Sequence, residues 1–582
     1  MAGTGDGPMT RILVYAEPLP IRNRFDEFAD AALLLGRALA SPPAGRDLQL
    51  RVFGNDAVID RITREDPRLA TACLRPTRDE RKAIGEQFDH WGPKSIAAWS
   101  DLVAGRGPLT DFYEAVLERL YRQHPFDVIL LWGENGAVRR FVDRRGLLAV
   151  HAELGPTRSP FQPTLYFDPE GVNGNASLLR VPAEAMRVTD FDIDGWLAVP
   201  PKPGEVSPHD ARVLLDPALA EHLPEGPFVL APLQLADDLN LLVHSEFESP
   251  EDFLRQLAPV VLEAGYDIVV KPHPGAVHRP YNLVREDRAL AFARRLGSRV
   301  KVLPRDLPAT ANAHLISHSS AVCAVNSSVV FEAAAMGKPA FSLGRAAFDI
   351  QGAFKADAAQ LGGHLRSLSP PPRQREAVAF GLSRYFLARE LITSDGALPA
   401  IIDFMFETRD RDRSAPAYWA EWGDRLARLG ASQRGPDAEI FIGGQALRRP
   451  IQVKIGGRTV QMSGPGPEGR KITMTRTSGR FAGNVDECSV TADRLRIIGW
   501  SAAKDGDLPP AAVVVVAGGQ VLAVGCAAEA RPDVAAVLQQ PMTQLYGYHF
   551  ETDWTQEAGC PLQLLLVGDR GAVEVVDLAA SL

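Results

Sequence analysis

Two short apolar runs that end abruptly in polar residues constrain this chain more than any other feature. Asp267-Ile268-Val269-Val270 stops at Lys271-Pro272-His273-Pro274. About fifty residues later Ala321-Val322-Cys323-Ala324-Val325 stops at Asn326-Ser327-Ser328. Runs this short and this apolar read as strands of a parallel sheet with helices on both faces. Open α/β sheets hold their ligands in the crevice beyond the carboxyl ends of such strands. A cation, an imidazole, hydroxyls and a helix start would meet there. That helix begins at Ser328 and stops at Gly337-Lys338-Pro339, a glycine end followed by proline. The ligand such a set suits is a sugar nucleotide.

A chain of 582 residues is too long for one core, so two to four domains are expected. The formal charge of −9 argues against a general nucleic-acid binder, although Arg139-Arg140 and Arg144-Arg145 form a local basic docking face. Cys73, Cys323, Cys488, Cys526 and Cys560 are scattered with no C-x-x-C pair, which suits a reducing compartment and offers neither a zinc site nor a disulfide framework. Met1 to Pro8 lacks the basic-then-apolar order of a signal peptide, and no run nears the roughly 18 apolar residues of a membrane span. The expectation is a cytoplasmic protein, with room for peripheral contact at the inner membrane or with an assembly complex.

The alternation of elements divides the chain. Arg11–Ala16, Leu48–Phe53, Phe126–Trp132 and Gly146–His151 read as strands, with helices over 24–40 and 111–122, giving a first Rossmann-like α/β domain over 1–205. Val199-Pro200-Pro201-Lys202-Pro203-Gly204 reads as a linker. A second Rossmann-like domain, 226–400, opens with Phe228–Pro232, continues through a helix over 249–264, and carries both polar strand ends. Residues 401–450 read as a helical connector. From 451 to 582, short Val-, Ile-, Leu- and Thr-rich runs between glycine turns predict an all-β, sandwich-like accessory module.

The candidate chemistry follows from these positions. Lys271, His273 and Pro274, with Ser327, Ser328 and the free N–H groups of the helix they open, form a nucleotide site that needs no metal. Glu332, one turn into that helix, is expected to face the crevice and accept from ribose hydroxyls. A serine N-cap alone would account for Ser327, and a rigid turn alone would account for His273-Pro274. Both motifs in one domain favour the site. Asp237-Asp238 follows the first strand of the second domain, where a carboxylate could serve as base or nucleophile; an N-cap or Asx turn accounts for it equally well. Asp238 is taken as the group aimed across the crevice and Asp237 as the loop cap. Glu153 lies past a strand of the first domain, on the opposite wall, as one of the two carboxylates that glycosidic chemistry requires. A surface pair with Arg158 is the plainer account of it. Glu134 is a reserve strand-end carboxylate. His278, His314 and His318 lack metal-ligand spacing.

These residues resemble a known family. Gln234-x-x-Asp237-Asp238-x-Asn240, the Lys-Pro-His-Pro turn and the Asn326–Pro339 segment look like the capsule-polysaccharide-synthesis glycosyltransferases, including retaining β-Kdo transferases that use CMP-Kdo. Glu153-x-Gly155-x-x-Arg158-Ser159 and Asp168-x-x-Gly171-Val172-Asn173 resemble two further segments of that group, with Leu154 in place of its aspartate and Asn173 in place of an aromatic. The resemblance covers roughly residues 10 to 400. It implies a GT-B fold with the CMP part held by the second domain, no metal or other cofactor, and retention of configuration. It also implies Asp238 as the attacking carboxylate and Glu153 as acid/base, with Gln234, Asn240, Arg158 and Asn326 as further donor or acceptor contacts. The partners implied are a CMP-sugar donor and a glycan or glycolipid acceptor of surface-polysaccharide or lipopolysaccharide assembly, and no nucleic acid. The same HP and Ser-Ser pair also resembles the CMP-binding motifs of sialyltransferases. A non-catalytic glycan-binding scaffold and a UDP-sugar epimerase are the rival readings. Arg494–Trp500, Arg531-Pro532-Asp533-Val534 and Tyr546–Phe550 look like a β-sandwich module appended to bacterial glycan enzymes.

Overall fold

The computed structural model describes residues 10–578 except 20, 41–47, 88–90, 188–190, 202–204, 214–216, 309, 394–395, 434–438, 443–444, 449–450, 465–470, 492–493, 504–509, 511, 526–533, 535–536, 539–546, 554–560 and 569–571. Met1–Pro8, Lys202–Gly204, Cys526, Arg531–Asp533, Tyr546 and Cys560 therefore lie outside the described residues. The chain forms two compact units, one of residues 1–201 with 206–429 and one of 430–582 with 202–205.

The first unit has the GT-B architecture of two Rossmann-like sheets. In the first sheet, strands β1 (Thr10–Tyr15), β2 (Leu48–Phe53), β3 (Cys73–Leu74), β4 (Val128–Trp132) and β5 (Leu148–Leu154) run parallel, in the order β5-β4-β1-β2-β3. Their continuous apolar runs are buried because helices cover both faces; Ile12 and Val14 fall in one core and Leu13 and Tyr15 in another. β6 (Thr164–Asp168) departs from the parallel pattern and pairs antiparallel with β5. Only the short loop 155–163 joins them, too little chain for the crossover a parallel pair needs.

The second sheet is built from β7 (Phe228–Pro232), β8 (Asp267–Lys271), β9 (Val300–Val302), β10 (Ala321–Ala324) and β11 (Ala340–Ser342), and is wholly parallel, in the order β11-β10-β7-β8-β9. The helix Pro250–Glu263 opens on a Ser249 cap whose Oγ accepts from Asp252 N at 3.1 Å. Each sheet reverses its winding once, between β1 and β4 in the first and between β7 and β10 in the second. These switch points are where open sheets leave a crevice.

The chain then returns. β12 (Leu387–Ala388) pairs antiparallel with β6, adding an outer strand to the first sheet after the second is complete. The helices Ala397–Glu407 and Pro416–Gln433 follow, and their aromatics pack within the first unit: Trp419 on Phe380 and Tyr385, and Trp422 on Phe404. The helical reading of 401–450 ends at Gln433, because β13 (Glu439–Ile442) and β14 (Gln445–Arg448) form a hairpin.

The second unit is all-β. Its larger sheet closes into a barrel of β15 (Gln452–Ile455), β16 (Thr459–Ser463), β17 (Lys471–Thr477), β20 (Ala512–Ala517), β21 (Gln520–Gly525), β23 (Leu562–Val567) and β24 (Ala572–Asp577). The strands β18 (Phe481–Thr491), β19 (Arg494–Ala503) and β22 (Gly547–Asp553) form a separate antiparallel sheet. The run Val513–Val516 shows how the two meet. Val514 and Val516 join the barrel core with Leu565 and Val573, while Val513 and Val515 pack with Leu495, Ile497 and Phe550 of the smaller sheet. A strand buried on both faces cannot alternate apolar with polar, so the four valines run together.

The helix Ser328–Ala335, at the end of β10, is fixed by Phe331, whose ring is fully buried against Phe348, Phe354 and Phe386. Phe331→Ala should cost about 3–5 kcal/mol of stability, measured by chemical denaturation of the full chain. A change below about 1 kcal/mol would mean that this cluster does not anchor the helix.

Candidate functional site

The carboxyl ends of β1, β4 and β5 face those of β7, β8 and β10, and polar residues gather where they meet. Two carboxylates of the second domain tie the walls together. Glu332 is fully buried, and its Oε1 accepts the Arg158 backbone N–H from the first domain at 3.0 Å. Asp237, also fully buried, accepts from Trp91 Nε1 at 2.9 Å and from Asn282 Nδ2 at 2.8 Å, with Arg22 Nε and Arg279 Nη1 each 3.6 Å from its Oδ1.

Glu153 stands near the end of β5, opposite Tyr166 of β6. The Leu154 N–H donates to its Oε1 at 2.8 Å. At Gly133, after β4, φ is +71°, and a Cβ there would come within 4.0 Å of Glu153 Oε2. Burial pushes the Glu153 carboxyl up to about 7, against the Leu154 N–H and Arg158, while Asp238 adds to the rise. His151, two residues earlier on the same face, is fixed by an Nδ1 contact with Gly133 O at 2.9 Å, and burial pushes it down to about 4. Arg158 is not a surface partner of Glu153. Its guanidinium turns onto the Gly155 and Thr157 carbonyls, and burial lowers its pKa.

The capping role expected of Asp237 falls to Asp238. Asp238 caps the short helix Leu239–Leu242, accepting from Asn240 N at 2.9 Å, and is half-buried on the crevice side. Asp237 caps nothing; it is the hub between Arg22, Arg279, Trp91 and Asn282. Successive residues of an extended turn point to opposite sides, and here the inward side carries the arginines. Asp238 lies near enough to Glu153, His273 and His244 to bear on the charge of each.

Lys271 ends β8 beside Pro232. Burial lowers its pKa, and Glu332 and Glu286 oppose the shift. His273 caps the turn Pro274–His278, its Nδ1 accepting from Gly275 N at 3.0 Å, while its backbone N–H donates to Glu286 Oε1 at 2.7 Å. Burial pushes the imidazole down to about 4, so near pH 7 it is neutral with its proton on Nε2. His273 thus offers one hydrogen-bond donor and no charge. Pro274 is exposed and starts the turn. Ser327 caps the helix Ser328–Ala335, its Oγ 3.4 Å from Val329 N. Ser328 is half-buried at the first position of that helix.

Three residues expected at the site also bond within the fold. Glu332 does not face the crevice as an open ribose acceptor: burial pushes it up to about 7, and its neighbours are Arg158 and Lys271. Asn326 is buried and donates to the carbonyls of Asn240 at 3.0 Å and Arg345 at 3.3 Å, joining the ends of β7 and β10. Asn240 serves that link through its backbone. Gln234 lies half-buried two residues after β7. Glu134 is also structural; it takes up Arg139, Asn175 Nδ2 and the Val172 N–H.

The sequence reading missed Arg22, Arg279, Glu286 and His244. Glu286 had a signal: with Asn282 it sits one turn apart on the buried face of Pro280–Arg295, beside Ala289, Leu290 and Ala293. Polar residues on an apolar stripe mark a satisfied network, and Glu286 binds both the His273 N–H and Arg305. His244 is buried against Gly174, where a Cβ would come within 2.6 Å of Nδ1, and burial pushes it down to about 4. No group of three His, Cys, Asp or Glu suited to a metal occurs among the described residues.

Two family models match this chain. One, described as capsule polysaccharide biosynthesis protein, covers residues 215–374; the other, the glycosyltransferase 99 family N-terminal domain, covers residues 83–177. The first span holds Asp238, Lys271, His273, Ser327 and Glu332, and the second holds Glu153 and Arg158. Over these two spans the chain resembles the capsule-synthesis glycosyltransferases. No curated protein matches. Among solved structures, the KpsC β-Kdo 2,4-transferase of Thermosulfurimonas dismutans is 18% identical, over 44% of this chain and 79% of that one, with a TM-score of 0.29. Its β-Kdo 2,7-transferase counterpart is 17% identical, over 45% and 78%, with a TM-score of 0.27. The UDP-GlcNAc 2-epimerase of Neisseria meningitidis is 12% identical, over 68% and 100%, with a TM-score of 0.29. At such scores these likenesses carry no argument of their own.

The different partners of the two aspartates have a direct consequence. Asp237→Ala leaves two mostly buried guanidinium groups without their shared carboxylate, which should cost about 3–5 kcal/mol. Asp238→Ala removes the cap of a four-residue helix, about 1 kcal/mol. Thermal melts should show the larger loss for Asp237→Ala; equal losses would place the arginines elsewhere.

Proposed function

We propose that this chain transfers a ulosonic acid of the Kdo type from a CMP-activated donor to a surface-glycan or glycolipid acceptor, with retention of configuration. The observation that carries the reading is the approach of Asp238 and Glu153 from opposite walls of one crevice, with Glu153 held near neutrality. The family resemblance adds the donor class.

Lys271, the Nε2–H of His273 and the N-terminus of the helix Ser328–Ala335 serve as the phosphate seat. An Asp238 oxygen attacks the anomeric carbon. The bond from that carbon to the phosphate oxygen breaks, and CMP leaves with the electron pair. A phosphate departs without needing a proton, so Glu153 acts in the second half. The acceptor hydroxyl oxygen then attacks the same carbon as its proton passes to Glu153. The ester to Asp238 breaks and the carboxylate is restored. A base with a pKa of about 7 is matched to this step, since it is ionised at working pH yet still takes a proton well.

Nucleotide choice is the first test. CMP at about 100 times its Kd should stabilise the chain by roughly 2.7 kcal/mol, seen as a rise in Tm, and UDP and GDP less. Equal shifts from all three would remove the case for a CMP donor.

The adduct is the second. Donor alone should add one sugar to Glu153→Gln and none to Asp238→Ala in intact-mass measurements, and transfer by Asp238→Ala should fall by roughly 10³-fold or more while CMP still binds. With wild type, the acceptor step should quicken as pH rises through about 7, because Glu153 works as a base only when ionised. Product should still form in EDTA. An inverted product, or an adduct on another residue, would defeat the double displacement.

A further inference from the structure

Two arginines of the crevice have no part in the chemistry above. Arg22 comes from the loop after β1 and Arg279 from the turn before the helix Pro280–Arg295, so each domain supplies one. They meet over Asp237 and Glu27. Arg22 lies 3.6 Å from each carboxylate, and Arg279 lies 3.6 Å from Asp237 and 3.5 Å from Glu27. Charge-assisted N–H···O bonds run at about 2.7–2.9 Å, so these four contacts are attractions rather than hydrogen bonds. Asp237 already accepts from Trp91 and Asn282, and the Glu27 side chain is 54% exposed. Arg22 Nε and Arg279 Nη1 are buried, share one Asp237 oxygen at 3.6 Å as an ion pair, and have no acceptor at hydrogen-bond distance among the described residues.

Buried guanidinium N–H groups without an acceptor at hydrogen-bond distance are costly, and fixing two like charges side by side adds to the cost. Arg22 is also held at φ 60°, in the left-handed region that a side chain of its size rarely adopts. Held donors of this kind, one from each wall, call for an oxyanion. Their place says which. Arg22 bears on Glu153, Arg279 bears on Asp238, and both bear on His273. An oxyanion held by both arginines would therefore lie beside the reacting carboxylates. The nucleotide phosphate is already served by Lys271, His273 and the helix start. In a 2-keto sugar acid, a carboxylate hangs directly on the anomeric carbon, one bond from the atom under attack.

We propose that Arg22 and Arg279 clamp the carboxylate on the anomeric carbon of the donor sugar and so select sugar acids over neutral sugars. The proposal rests on the nucleotide-sugar reading above. A site built to hydrogen-bond such a group rejects analogues that lack it, because its donors are then left unpaired. Arginine suits the task, since its planar fork meets a carboxylate with paired bonds.

Equilibrium binding of CMP and of CMP-Kdo to wild type, R22Q, R279Q and R279K tests the clamp. Either glutamine variant should weaken CMP-Kdo at least tenfold while changing the Kd of CMP less than twofold, which also shows that the variant is folded. R279K should recover only part of the loss. Unchanged CMP-Kdo affinity overturns the proposal. Equal weakening of CMP overturns it too, since the arginines would then hold phosphate. A second measurement stands apart from the nucleotide. Phenylglyoxal modification of wild type, mapped by peptide mass, should be blocked at both arginines by free Kdo and not by its C1 amide. Absence of that protection overturns the clamp. Protection in a protein that ignores CMP would keep the clamp and defeat the nucleotide reading instead.

Discussion

A carboxylate buried between two domains must find its partners across the gap, and the crevice of this protein is organised by two that do. Glu332 takes the Arg158 N–H, and Asp237 takes Trp91 and draws in Arg22, all from the opposite domain. Removing water from such groups costs several kcal/mol each unless they are paired, so the carboxylates favour the closed arrangement in which those partners are present. The positions of the strand ends follow. With the walls held by Glu332 and Asp237, Glu153 and Asp238 are left facing the same space, and Lys271 and His273 line it from β8.

The electrostatics of that space share one cause. Burial drives Glu153 and Glu332 up to about 7, and His151, His244 and His273 down to about 4. Each group moves toward its neutral form because little water reaches it. Glu153 and Glu332 are weakened as acids and the three imidazoles act as neutral dipoles, while Asp237 lies among Arg22, Arg279, Trp91 and Asn282. Preorganised donors in a water-poor site are the arrangement from which enzymes draw most of their electrostatic effect.

The strands of both sheets were legible in the amino-acid order, because a short apolar run that stops at polar residues fits little besides the end of a buried parallel strand. β3, β6 and β12 were not. β3 is only two residues long, and the direction of β6 and β12 depends on the length of one loop and on a return of the chain from the second domain, neither of which local pattern records. At the site, Lys271, His273, Ser327, Asp238 and Glu153 announce themselves as polar residues at strand ends. The division of labour between Asp237 and Asp238 does not, since adjacent aspartates are chemically alike and only the partners beneath them tell them apart. Arg22 and Arg279 lie in irregular segments with no periodicity to betray them. Glu332 shows the opposite failure: its place one turn into the helix was plain, but whether that turn looked into the crevice or beneath it depended on Arg158, 174 residues away.

The barrel of the second unit carries a consequence for how the chain is made. β17 closes the ring by pairing with β24, and the two are the barrel's one parallel neighbour pair among the described residues. During synthesis at about 5–20 residues per second, the free edge of β17 waits several seconds or more for its partner to emerge. An uncovered edge is an invitation to pair with another chain. The first unit faces no such delay from the barrel, since its residues end at 429 and are all synthesised before β15 begins. Nascent chains of this protein thus pass through a stage at which the unit bearing the crevice can be complete while an open β-edge trails behind it, and crowded ribosomes are where that edge would be most exposed to its neighbours.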